Sequence, residues 1–371
     1  VPAHKLRAIL AATSIIVNAC VAARAVAPAS QTRHWRAYLG SALRAPAADE
    51  TVNSDPRPVW RTDLGRGIVG APALAEDVVA LSLVDRHVAL LDRATGEVLW
   101  RRRLSSHAGS GPLLDNDLVY VATQGAEGRV HALRLATGRT VWSFPLGDVV
   151  APLELEEGAV YAATTGGWVA RLHDGTGSRL WRTRLPGAVR AAPVTVSGGV
   201  VVATTADSVF LLERSSGAVR ERDATGGTVL AAPVLVAGTM MLGTTAGVLE
   251  ARDTATLAVR WRRELESGIV GMAARSEVIY VLTRRGVLWR MPVAVPESAA
   301  GTDLAIVSRA GPSPVAGGVL VTAVNGEIAL VDDTGARRWT SRLEPPVREP
   351  VVVEGRMILA VSERGEVVAF R

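Results

Sequence analysis

Tryptophan returns on a fixed beat in this chain. Trp60, Trp100, Trp142 and Trp181 stand 39–42 residues apart, and Trp261 and Trp339 continue the series after beats at Glu221 and Gly301, where other residues stand in. A second marker keeps the same interval: Pro72, Pro112, Pro152, Pro193 and Pro233, then Ala273 in place of proline, Pro312 or Pro314, and Pro350. Two unrelated residue types sharing one period define an internal repeat. A unit of this length cannot bury its own apolar faces, so the chain must stack its copies against one another.

Within a unit the pattern is that of strands. Short runs rich in β-branched residues, such as "LVYVAT" (118–123), "GVVVATT" (199–205) and "VIYVLT" (278–283), are bounded by Gly, Asp or Ser. A second run follows, then a Thr-Gly turn and a last strand holding the tryptophan. No apolar window has helical period over a useful length. Four strands per 40-residue unit, without large insertions, predict an all-β chain: an eight-bladed β-propeller of four-stranded antiparallel blades.

The turn glycines Gly96, Gly138, Gly177, Gly217 and Gly335 stand where a tight hairpin needs positive φ. Trp60, Trp100, Trp142, Trp181, Trp261 and Trp339 are expected to pack between adjacent blades, each indole N–H reaching a carbonyl. The last unit ends at "GEVVAFR", one strand short, while "PVWRTDLG" (58–65) supplies that strand at the other end of the repeat. The amino-terminal strand should therefore complete the last blade and leave no open edge at the closure. The sixth unit is the degenerate one: Ala273 replaces its proline and residues 289–307 lack the turn motif.

Composition narrows the function. Lys5 is the single lysine, the net charge is +5, and the arginines are scattered among acids, which argues against a nucleic-acid surface. One cysteine, Cys20, excludes an intramolecular disulfide and a cysteine-based zinc site. His4, His34, His87, His107, His131 and His173 have no metal-binding spacing. No catalytic residue is assigned.

The segment 1–20 runs basic ("HKLR"), apolar ("AILAATSIIVNAC"), then small, the order of an export signal. Its close at Ala19-Cys20 resembles a bacterial lipoprotein signal, which implies lipidation of Cys20; Asn18 departs from the usual lipobox. Cleavage near "AVAPA" (25–29), an uncleaved anchor and an inert thiol are the alternatives. Residues 21–56, rich in Ala, Pro and Arg and holding Trp35, read as a tether, and 57–371 as the propeller.

The spacing A-x-D-x-x-T-G-x-x-x-W, matched by "ARDTATLAVRW" (251–261) except for Leu257 at the glycine, resembles the tryptophan-docking repeat of the pyrroloquinoline-quinone (PQQ)-like propellers. One branch of that family, the quinoprotein dehydrogenases, carries PQQ and Ca²⁺ at the axis, often a vicinal cysteine pair, and long insertions. The repeats here are short and the one cysteine lies in the signal region. The order of signal, tether, eight short blades and closing "GEVVAFR" is similar instead to the BamB branch.

That resemblance implies a non-enzymatic scaffold without cofactor. It would be exported and held at the outer membrane by a lipid on Cys20, Val21 not being the Asp that favours inner-membrane retention. It would act as a monomer within a complex, binding envelope proteins of outer-membrane β-barrel assembly. It also assigns partner contact to Val189 and Arg190, in "PGAVRAAP". Thr228-Val229-Leu230 stand where the branch tends to carry acids, which keeps another membrane partner, or a sensor taking a small molecule at the axis, in view.

Overall fold

A computed structural model describes residues 52–75 and 77–371. The expectations for residues 1–20, Cys20 and Trp35 lie outside the described residues. From Pro58 onward the chain forms eight four-stranded antiparallel sheets. Blades one to seven span 68–103, 113–145, 154–184, 194–224, 234–264, 269–303 and 313–342. The eighth is made of Val352–Glu354, Met357–Val361 and Glu366–Phe370, and strand Pro58–Asp63 pairs with Glu366–Phe370 to complete it. First strands of neighbouring blades touch at most of the seams, and that of blade one touches that of blade eight, so the sheets close into a ring.

Burial explains the composition of each strand. The two middle strands of a blade have neighbouring sheets on both faces, so every residue of Val78–Leu83 and Gly199–Thr204 is buried. That is why these segments read as unbroken apolar runs. Outer strands show water one face: in Pro58–Asp63 only Trp60 is buried.

The tryptophan and the glycine form one lock between blades. A Cβ added to Gly96, Gly138, Gly177 or Gly217 would lie 2.5–2.9 Å from the indole of Trp60, Trp100, Trp142 or Trp181 on the preceding blade. The same four glycines have φ between +66° and +75°, so both space and backbone demand glycine there. The indole N–H groups of these tryptophans donate to carbonyls of Arg93, Leu135, Asp174 and Arg214 at 2.5–2.9 Å, and that of Trp261 to Val293 at 3.2 Å. Trp339 packs edge-on against Phe370 of blade eight, ring centres 5.4 Å apart. Gly335 faces Thr302, since blade six has Gly301 at the tryptophan beat.

The seam between blades four and five is built differently. Glu221, at the tryptophan beat, is exposed along with all of Val219–Ala224. Leu257 replaces the turn glycine at φ +58° and is fully buried among residues of both blades. Beneath it, Arg252 stands where blades one to four have Leu91, Leu133, Leu172 and Leu212. Its guanidinium is buried and bonds Glu250 at 2.7 Å, Asp223 at 2.6 Å, and the carbonyls of Ala224 and Leu257 at 2.5 and 2.8 Å. Three substitutions replace an apolar lock by a buried ionic one, a coupling that residue spacing alone does not reveal.

Candidate partner-binding face

One end of the ring gathers the connections that enter each blade and the turns between its second and third strands. Those turns are tied by hydroxyls: Thr123, Thr164, Thr244 and Thr283 accept the backbone N–H groups of Arg129, Trp168, Val248 and Val287 at 2.8–3.2 Å. Their spacing of 39–41 residues, with Thr204 on the same beat, is a third periodic marker, visible in the sequence though weaker because threonine is common.

The connection 185–190 into blade four is fixed from both sides. The Val189 N–H donates to the Thr164 carbonyl at 3.0 Å, and the Ala188 N–H to the Thr205 hydroxyl at 3.1 Å. Val189 itself is fully buried between blades three and four. It can orient the loop but offers no surface to a partner. Arg190, the next residue, is exposed. At the corresponding place before blade five the pair recurs as Val229, fully buried, and Leu230, 46% exposed.

Charge is uneven over this face, and Asp148 and Glu266 flank its poorer part. In loops 164–167, 185–190, 204–207, 225–230 and 244–247 the only charged residues are Arg190 and Asp207. The other sector carries Arg284, Arg285, Arg309, Glu344, Arg348, Glu363, Arg364, Arg66, Asp85 and Arg86. The quiet sector is bordered by Trp168, whose ring lies 3.8 Å below the Arg182 guanidinium. Few charges to desolvate, an exposed leucine and a stacked Arg–Trp pair are features of a protein-binding surface.

The axis of the ring is crowded by backbone. Where the chain bends into each first strand stand Gly70, Ser110, Ala151, Ala191, Ala231, Gly271, Ala310 and Glu349. Small residues are required because the backbones nearly touch: a Cβ on Gly70 would lie 2.0 Å from the Gly111 nitrogen. Glu349 is the one carboxylate of the set. It accepts the Gly70 N–H across the ring closure, and burial pushes its pKa up to about 7. Among the described residues no three His, Cys, Asp or Glu side chains converge to hold a metal ion. The donor set that a quinone and calcium require does not fit these residues.

The chain belongs to the family described as outer membrane protein assembly factor BamB, whose model matches residues 36–162, 84–184, 165–286 and 274–371. Among curated proteins it is 26% identical to the outer membrane protein assembly factor BamB of Legionella pneumophila (strain Paris) over 140 residues, 34% of this chain and 36% of that protein. It is 29% identical to the serine/threonine-protein kinase AfsK of Streptomyces coelicolor over 147 residues, 37% of this chain and 16% of the kinase. The matches thus span about a third or less of those relatives' lengths.

Solved structures extend the likeness in fold alone. BamB from Moraxella catarrhalis superposes with a TM-score of 0.71 at 15% identity, covering 85% of this chain and 99% of that one. The quinohemoprotein alcohol dehydrogenase of Comamonas testosteroni gives 0.75 at 12% identity, covering 92% and 81%.

Proposed function

We propose that this protein is a non-enzymatic envelope scaffold, exported and held at the outer membrane by a lipid on Cys20, that binds proteins of outer-membrane β-barrel assembly through the face carrying Arg190. The observation that carries the reading is the family match along the whole ring, joined to a charge-poor sector around the connection into blade four. In this arrangement the buried Val189 holds the loop, Arg190 supplies a positioned cation, and Leu230 supplies apolar contact. The mechanism is presentation: a rigid ring keeps the loops in one arrangement, so little conformational entropy is lost on binding.

The test is affinity capture from the native host with a carboxy-terminal tag, followed by mass spectrometry of the retained membrane proteins. A barrel-assembly protein recovered with the wild type, and at least tenfold depleted with Arg190→Glu, is the expected result. Recovery of bound quinone and calcium with no membrane protein would overturn the scaffold in favour of a PQQ dehydrogenase. Recovery of an unrelated membrane protein would keep the scaffold and replace the partner, the outcome that Thr228-Val229-Leu230 brings into view. Mass spectrometry of the mature amino terminus tests the lipid on Cys20 separately.

A further inference from the structure

The end of the ring opposite Arg190 holds the turns between first and second strands and those carrying the lock glycines. There two positions face each other at a seam: the end of the preceding blade's first strand, and the residue whose carbonyl receives, or would receive, the docked indole. Three seams close by opposite charges. Glu354 meets Arg93 at 3.1 Å, Glu156 and Glu157 meet Arg214 at 3.6 and 2.5 Å, and Arg275 meets Asp333 at 3.3 Å. Two more close by bulk, Ala75 with Leu135 and Val236 with Val293, each pair sharing an apolar cluster.

Between blades four and five the two positions hold Val196 and Thr254. Neither carries a charge and the second lacks bulk. A crevice of about 280 Å³ opens beside them over the first turn of blade five, lined by Val196 and Ser197 of blade four, Val236, Ala237 and Thr254 of blade five and Ser276 of blade six among others, none of them charged. On its blade-four side it borders the seam that has exchanged its tryptophan, glycine and leucine for Glu221, Leu257 and Arg252. The buried ionic lock holds this seam shut on the outside without the plug that other seams carry on the inside.

We propose that this crevice is an anchor pocket for one bulky, uncharged apolar side chain of a partner polypeptide. A charged side chain finds no counter-ion in the lining. The volume falls just below the range of roughly 300–1,000 Å³ typical of small-molecule sites, and suits a single aromatic residue better than a cofactor. An aromatic anchor seated in a desolvated pocket is the usual form of an interface hot spot. This surface is separate from the Arg190 face, and its occupancy does not depend on which protein binds there.

The probe is N-acetyl-tryptophanamide, titrated into the full ring and followed by methyl NMR of Val196 and Val236, with N-acetyl-argininamide as the charged control. Saturable shifts with the tryptophan amide are expected, at least tenfold weaker with the arginine amide. Thr254→Leu, which copies the bulk of Leu135, and Thr254→Arg with Val196→Glu, which copies Arg93 and Glu354, should each abolish the shifts while the melting temperature holds. Absence of saturable shifts in the wild type would overturn the proposal. So would equal binding of both amides, or shifts that persist in a folded plugged variant. The leucine variant keeps the test decisive if the charged pair fails to fold.

Discussion

Arg252→Leu should damage this protein far more than its location in a surface ring suggests. The substitution installs the residue that blades one to four already carry at that place, so a view based on the repeat alone expects gain or neutrality. The structure argues otherwise. Arg252 is 1% exposed and Glu250 is 2% exposed. Once the guanidinium is gone, Glu250 is left with the Gly226 N–H at 3.2 Å, in a seam closed to water. Stranding one member of a buried pair costs about 3–5 kcal/mol. The carbonyls of Ala224 and Leu257 also lose their donor.

Glu250→Ala should cost less, about 1–2 kcal/mol, because Arg252 retains Asp223 and two carbonyls. The double variant Arg252→Leu with Glu250→Ala matches the Leu–Ala combination of Leu91 with Ala89 and of Leu172 with Ala170. It should return to within about 1 kcal/mol of wild type, since apolar replacement of a whole buried ion pair is often neutral or better. A urea-denaturation cycle on the four proteins measures the coupling, expected at about 3–7 kcal/mol. A double variant no more stable than Arg252→Leu would refute the compensated seam, as would a single variant losing less than about 1 kcal/mol.

Two further perturbations test the ring. Gly217→Ala places a methyl 2.6 Å from the Trp181 ring at φ +72°, and should cost at least about 2 kcal/mol, whereas Gly238→Ala, at φ +70° with nothing within 4 Å, should cost about 1 kcal/mol; paired thermal melts compare them. Glu349 has its pKa raised by burial from 4.5 to about 7. As pH rises through this window the unfolded chain ionises first, so folding stability falls between about pH 4.5 and 7 and stays lower above it. Glu349→Gln, whose amide oxygen can still accept the Gly70 N–H, should remove that loss; discounted for its partial exposure, the gain at pH 8 is about 1–2 kcal/mol. Denaturation midpoints at pH 5 and pH 8 decide it, and an unchanged pH dependence would refute the assignment.

The fold was legible because a repeat writes the same physical requirement many times. Four of the tryptophans need a glycine on the next blade, and those turns need a positive φ, so the markers recur at one interval and even the degenerate sixth unit can be placed by counting. The closure was legible for the same reason, as a strand missing at one end and present at the other. The partner face was only half legible. Sequence placed Val189 and Arg190 side by side, yet a connection leading into a strand turns its neighbours in opposite directions, so Val189 went to the core and Arg190 to solvent.

The least legible features are the departures, because their meaning depends on residues of a neighbouring blade. Leu257 alone reads as a lost glycine, Glu221 as a lost tryptophan, and Arg252 as one arginine among many. Only adjacency across the seam joins them: the leucine fills what the indole vacates, and the arginine ties down the strand that the indole no longer pins. Random decay of a repeat would leave cavities or stranded charges on the outside, and here both have been answered. On the inside an uncharged opening borders the same seam and reaches over blade five to blade six, whereas three seams are closed by ion pairs and one by Ala75 with Leu135. Compensation on one side and an open crevice on the other is the pattern expected where a ring needs an opening without losing its closure, which makes blades four and five the first place to look for a second partner.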